Sequence, residues 1–183
     1  MADPLADLPE DLRRRAAGIR LVAFDVDGTL TDGRLLFDGE GNVGKAFHVQ
    51  DGLGLRLLED HGIAVALITA RDSAAARARG RDLRLRHVHT GVGDKRVCLR
   101  QLQTSLGVSD EQTAYMGDDL PDLCLFAQVG LAVCPANAHP WMLGHAHWTT
   151  RARGGEGAAR ELCDLILLAA GHHDAVLAGF LRA

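Results

Sequence analysis

The stretch RLVAFDVDG, residues 20–28, decides the fold. Its apolar run shows no polar alternation and ends in acidic residues and a glycine, which reads as a buried strand with Asp25 at its C-terminal end. Asp27 follows two residues later, and Gly28 lets the chain turn sharply toward a ligand.

Working outward from it, RLLFDGEGNVGKAFHV (34–49) holds two short β-prone pieces around a Gly-rich turn and is predicted to form a hairpin, an unusual insertion after a first strand. Asp51 is expected to cap a helix carrying Leu53, Leu55, Leu57 and Leu58, closed by His61 and Gly62 before the strand IAVALIT (63–69). A helix from Asp72, a short strand near HVHT (87–90), a helix from Asp94 to Leu106 and the strand TAYMGDD (113–119) follow. A helix through PDLCLFAQ (121–128), the strand GLAVC (130–134), an amphipathic helix over 155–170 and a last helical segment over 173–181 complete the pattern. Repeated β-then-α means an α/β protein: a Rossmann-like, doubly wound parallel sheet covered by helices in three layers. The expected organisation is a polar lead-in with one short helix (1–18), one domain (19–171) and a tail (172–183).

Size and composition agree with this. A chain of 183 residues buries enough surface for one sizeable core. Apolar residues at 47% with aromatics at only 4% suit an Ala/Leu/Val-rich α/β domain. The formal charge of -4 supplies no electrostatic reason to expect nucleic acid or a membrane as partner, so a small-molecule substrate is expected. The four cysteines, at 98, 124, 134 and 163, form no CxxC pair and read as buried free thiols in a reducing compartment. The N-terminus lacks the apolar core of a signal peptide, and LCDLILLAAG (162–171) is too short to span a bilayer, so a cytoplasmic location is expected.

In open parallel sheets, functional groups gather where strands end at their carboxyl edge. Asp25 and Asp27, Thr69, and Asp118 and Asp119 all fall there, so they are expected to meet in space. A carboxylate can attack an electron-poor phosphorus if a cation offsets its charge and the leaving oxygen is protonated, which gives the two carboxylates separate tasks. Magnesium prefers hard oxygen ligands, which Asp118 in the Gly117-Asp118-Asp119 run can supply. Thr69 offers a hydroxyl and a backbone N–H to phosphoryl oxygens, and Lys95, just inside a helix start, adds a mobile positive charge.

FDVDGTLTDG (24–33), LITAR (67–71), GDKRVCL (93–99) and MGDDLPDL (116–123) follow in order the four motifs of the haloacid dehalogenase superfamily, which the chain resembles. Through the hairpin, KAFHVQDGLGL (45–55), ANAHP (136–140) and TRARGGEGAARELCDLILLA (150–169), the resemblance extends to phosphatases of 3-deoxy-D-manno-octulosonate 8-phosphate and covers nearly everything from Ile19 to Gly171. It implies Asp25 as nucleophile and Asp27 as the acid for the leaving alcohol, then as the base for water, with Thr69 and Lys95 holding the phosphoryl group. It also implies magnesium bound by the carboxylates of Asp25 and Asp118 and the backbone carbonyl of Asp27, supported by Asp119 and Asp122. Arg71 and Arg79 would face a sugar acid, with the Gly154–Gly157 segment near a site.

The stretches between Asp25 and Thr69 and between Thr69 and Lys95 are too short for a cap domain, so the site is expected to be open. The resembling family closes it by assembling as a homotetramer around its hairpins, and the same is expected here. Thr29, Ala70 and Asn137 depart from residues frequent in relatives; they spare the chemistry and blur the substrate. A nine-carbon sugar-acid 9-phosphate is the alternative substrate. A phospho-accepting signalling domain is a remote alternative, disfavoured because Asp27 is positioned to hydrolyse an aspartyl-phosphate.

Other candidates read as structural. Arg77, Arg81, Arg84 and Arg86 form a solvated charge run. His87 and His89, and His145 and His147, read as strand-edge pairs without a third ligand, and Trp141 and Trp148 as core or interface packing.

Overall fold

The computed structural model describes residues 8–182, so the first seven residues of the expected lead-in lie outside it. One six-stranded parallel sheet runs in the order β5-β4-β1-β6-β7-β8. The strands are β1 (Leu21–Phe24), β4 (Ala64–Ile68), β5 (His87–His89), β6 (Thr113–Met116), β7 (Leu131–Cys134) and β8 (Trp148–Thr149). Every pairing within it is parallel, with β1 at the centre matched Leu21 to Ala64 on one side and Leu21 to Thr113 on the other. The two-residue β8 was not expected from the sequence; it is too short to carry a periodicity.

Side-chain alternation along β1 feeds two cores. Val22 and Phe24 point into the cluster built with α1 (Glu10–Ala17), α2 (Val49–Asp60) and α6 (Ala158–Ala169). Leu21 and Ala23 point into the opposite cluster, with α4 (Lys95–Leu106) and the short α5 (Leu123–Phe126). Helices on both faces bury the whole strand, which is why the run needs no polar alternation. Each fully buried Leu or Phe in these layers contributes roughly 1.5–3 kcal/mol. The three-layer arrangement expected from the sequence is therefore present.

The insertion after β1 is a hairpin, β2 (Leu36–Phe37) antiparallel to β3 (Val43–Gly44). Asp38 Oδ1 accepts from the N–H groups of Glu40 and Asn42, both at 2.9 Å, and closes the turn.

Several local expectations are corrected. Helix α2 starts at Val49 after His48, and Asp51 lies inside its first turn; its carboxylate instead accepts from Gly157 N at 3.4 Å and Arg160 N at 2.8 Å, capping α6. Helix α3 (Ala74–Asp82) is capped by Ser73, whose hydroxyl accepts from Ala76 N, not by Asp72. Helix α6 begins at Ala158 because Gly155 and Gly157 hold φ of 70° and 106°, outside helical space. His145 closes a 3₁₀ turn (Pro140–His145) and His147 precedes β8, so this pair does not share a strand. Of the core or interface packing expected for Trp141, its 71% exposure excludes the core alone. Trp148, half-buried on β8, packs against it.

Among the cysteines, Cys134 and Cys163 are buried, Cys98 and Cys124 are half-buried, and all four are free. The tail expected over 173–181 forms α7 (His173–Leu181). No single helix among the described residues is long and apolar enough to cross a membrane.

Candidate active site

At the carboxyl edge of the sheet lies a cleft of about 380 Å³ lined by Asp25, Asp27, Thr69, Arg71, Lys95 and Asp118, with Asp119 and Asp122 beside them. The strands place these groups by ending there. Asp25 extends β1, its N–H bonded to Met116 O at 2.9 Å. Gly28 then turns the chain at φ 88°, and its lack of a side chain matters twice, because a Cβ there would overlap the Asp118 carboxylate.

Lys95 opens α4 behind the Asp94 cap and reaches inward rather than out. Its Nζ donates to Asp25 Oδ1 at 2.6 Å, to Asp122 Oδ1 at 2.6 Å and to the Tyr115 hydroxyl at 3.3 Å. Three donors meet three acceptors, so this lysine is buried and fixed, not the mobile charge the sequence suggests. Tyr115 donates in turn to Asp122 Oδ1 at 2.7 Å. Asp122 Oδ2 accepts from Asp118 N at 3.2 Å and from Asp119 N at 3.5 Å, which ties the loop after β6 to the network. Thr29 donates its hydroxyl to Asp118 Oδ1 at 3.1 Å.

Thr69 is buried at the end of β4, with its N–H spent on His89 O at 3.0 Å. Only its hydroxyl therefore remains for a phosphoryl oxygen, which corrects the expectation that both groups serve. Asp119 is exposed and caps the 3₁₀ turn Leu120–Asp122, where its side chain accepts from Leu120 N at 2.8 Å.

The electrostatics show a surplus of negative charge. Burial, reinforced by Asp122 and only partly offset by Lys95, pushes the Asp25 carboxyl up to about 7. Burial and Asp122 likewise push Asp118 up to about 6. One oxygen each from Asp25, Asp118 and Asp122 lie within 4.8 Å of one another. A hard divalent cation fits this set: the donors are carboxylates, and the charge is unbalanced without it. Asp122 has both oxygens engaged, which leaves Asp25 and Asp118 as the carboxylates suited to ligation.

Asp27 stands at the rim. Its Oδ1 is ion-paired with Lys45, which follows β3, and its Oδ2 lies 3.4 Å from Arg71 Nε. Arg71 thus lines the cleft, where the resemblance puts it. Arg79 does not: it bonds Asp82 Oδ2 at 2.7 Å and His48 O at 3.3 Å, and sits 5.8 Å from the Phe47 ring, lining a separate small cavity. Arg81, Arg84 and Arg86 are exposed, as a solvated run should be.

The Gly154–Gly157 segment packs on the first motif: Gly155 N donates to Thr29 O at 3.1 Å, and Gly154 N to Asn137 Oδ1 at 2.6 Å. A Cβ at Gly154 would collide with Gly28 O. Lys45, Tyr115 and the Asp51 cap are the parts that sequence reasoning missed. A lysine directly after a hairpin strand was the one available signal, and it names no partner.

A family model described as haloacid dehalogenase-like hydrolase matches residues 85–162. The curated 3-deoxy-D-manno-octulosonate 8-phosphate phosphatase KdsC of Yersinia pestis is 47% identical over 166 residues, spanning 91% of this chain and 87% of that protein. Among solved structures, a hypothetical protein from Xanthomonas campestris superposes with TM-score 0.95 at 57% identity, covering 98% of each chain. The 3-deoxy-D-manno-octulosonate 8-phosphate phosphatase from Moraxella catarrhalis, in complex with magnesium ion, phosphate ion and KDO, superposes with TM-score 0.90 at 40% identity, covering 93% of this chain and 98% of that one.

Proposed function

The chain belongs to the KdsC family of haloacid dehalogenase-like hydrolases, and on that footing we propose that it hydrolyses 3-deoxy-D-manno-octulosonate 8-phosphate to the free sugar acid and phosphate, with magnesium. The observation that carries this is the convergence of Asp25, Asp27, Thr69, Lys95 and Asp118 in one cleft. The relative from Moraxella catarrhalis, with magnesium, phosphate and KDO bound, supports the substrate and the ion.

In this reading an oxygen of Asp25 attacks phosphorus, the bond from phosphorus to the sugar oxygen breaks, and Asp27 gives that oxygen a proton. Asp27 then takes a proton from water as the water oxygen attacks the aspartyl-phosphate, which releases phosphate and restores Asp25. The carboxylates of Asp25 and Asp118 and the backbone carbonyl of Asp27 would hold magnesium, which when bound offsets charge on the phosphoryl oxygens. Lys95 orients Asp25 through the 2.6 Å bond and supplies the nearest fixed positive charge. Thr69 donates its hydroxyl to a phosphoryl oxygen, and Asp119 and Asp122 hold the loop that carries Asp118. Arg71, at the cleft mouth, is suited to the sugar carboxylate, because an arginine fork matches carboxylate geometry. Arg79 has no place in the site of its own chain in this proposal.

We extend the proposal to a homotetramer assembled through the hairpins. Leu36 and Phe37 are exposed on β2, and such an assembly would cover them. Light scattering of the purified protein checks the assembly.

The direct test is phosphate release with magnesium from a panel of eight-carbon and nine-carbon sugar-acid phosphates, hexose phosphates and p-nitrophenyl phosphate. Strong preference for the eight-carbon acid is expected. Preference for the nine-carbon acid would move the assignment to that substrate, and a flat profile would overturn the specific one.

A further inference from the structure

Lys45 pairs with a carboxylate of the cleft, and the proposed mechanism leaves it without a task. It follows directly after β3, where the hairpin returns to the domain, and its side chain is 0% exposed. Burying an ammonium is costly unless it is paired, and its ion pair is with Oδ1 of Asp27. The other oxygen of Asp27 faces Arg71, whose side chain is 47% exposed at the mouth of the cleft. The two cations therefore differ. Lys45 is enclosed and stays, whereas Arg71 is open to solvent and is free to turn toward an anionic substrate.

Asp27 itself is 23% exposed and stands just before the turn at Gly28, where a carboxylate without a fixed partner can rotate about its own side-chain bonds. An ammonium can donate but never accept, so the oxygen it holds is occupied as an acceptor. We propose that Lys45 is a positioning residue for Asp27: it pins Oδ1 from inside and thereby aims Oδ2 at the leaving-group oxygen. The hairpin, by delivering Lys45, becomes part of the catalytic apparatus in addition to any part it has in assembly. The inference rests on the reading of Asp27 as the group that exchanges a proton with the leaving group, and the test separates the two.

The full-length protein with magnesium is assayed on an alkyl ester, the eight-carbon sugar-acid phosphate, and on p-nitrophenyl phosphate, whose leaving group departs without needing a proton. In Lys45→Met the ratio of kcat on the alkyl ester to kcat on the aryl ester is expected to fall roughly 10- to 100-fold, part of the range general acid catalysis supplies. Lys45→Arg, which restores the charge, is expected to recover part of that ratio. Lys45→Gln is measured alongside, so that a Met variant that fails to fold leaves the comparison intact. Equal losses on both esters, or no loss on either, overturn the positioning role. Asp27→Asn is the control: if it lowers the ratio and the Lys45 variants do not, Lys45 falls and the reading of Asp27 stands. If neither lowers it, the reading of Asp27 falls as well.

Discussion

On the inner side of the cleft, Asp25, Lys95, Tyr115 and Asp122 form a buried network in which Lys95 meets three partners and Asp122 uses both oxygens. On the rim, Asp27 is held by one enclosed cation and one open one, and the enclosed cation arrives on a hairpin whose own strand exposes Leu36 and Phe37. The inner groups ride on β1, β6 and α4, elements fixed by the two cores. The rim groups sit on loops beyond the strand ends, with the side chains of Asp27 and Arg71 partly exposed. Removing the buried cation of the inner side should therefore cost stability and turnover together, whereas damage to the rim should cost turnover with little loss of stability.

The sharpest way to break this contrast is Asp25→Asn. Loss of the nucleophile should lower phosphate release by at least about 10⁴-fold. The melting temperature should hold or rise, because one of the crowded carboxylates becomes neutral. Near-normal turnover would remove Asp25 from the chemistry.

Asp27→Asn, on the rim, should slow kcat by roughly 10²- to 10³-fold with an unchanged melting curve. A large drop in melting temperature would show that the rim is built as firmly as the interior.

Lys95→Met tests the inner side by stability. Removing it leaves buried Asp25 and Asp122 without their cation, and unpairing a buried charge costs about 3–5 kcal/mol. Urea unfolding measures this, and a loss under about 1 kcal/mol would mean the network is far more solvated than its burial implies.

Asp51→Ala removes the cap that α2 lends to α6 and should cost about 1–2 kcal/mol in the same assay, with a smaller effect on kcat.

The smallest effect concerns the surplus charge. Burial raises Asp25 to about 7 and Asp118 to about 6. A carboxyl raised above its unfolded value binds protons more tightly when folded, so metal-free stability should fall as pH rises from about 4 to about 7. Magnesium favours the ionised forms. The rise in melting temperature on adding it should therefore be near zero at about pH 5 and a few degrees at about pH 8, and Asp118→Asn should abolish it.

The inner side was largely legible in the residue order. In a parallel sheet every strand ends at the same edge, so a carboxylate or hydroxyl just past an apolar run already has its place. That logic located Asp25, Thr69 and Asp118, and the helix-start signal located Lys95. It misjudged their freedom: the Thr69 N–H is consumed by His89, and Lys95 is immobilised by partners that the spacing does not name. The resemblance, not this logic, put Arg79 beside the substrate, whereas side-chain packing against Phe47 and His48 draws it into another cavity of its own chain.

By itself the sequence determined the parallel sheet, the hairpin insertion and the set of groups at the carboxyl edge, because these follow from periodicity and chain direction, which are local properties. Only the tertiary structure decided that Lys45 returns to Asp27 across 18 positions and that Asp51 caps a helix more than a hundred residues away. Such pairings are selected by how loops and helices pack once the core has formed. No local pattern encodes them, since any buried cation or carboxylate has many partners within reach until the fold removes all but one.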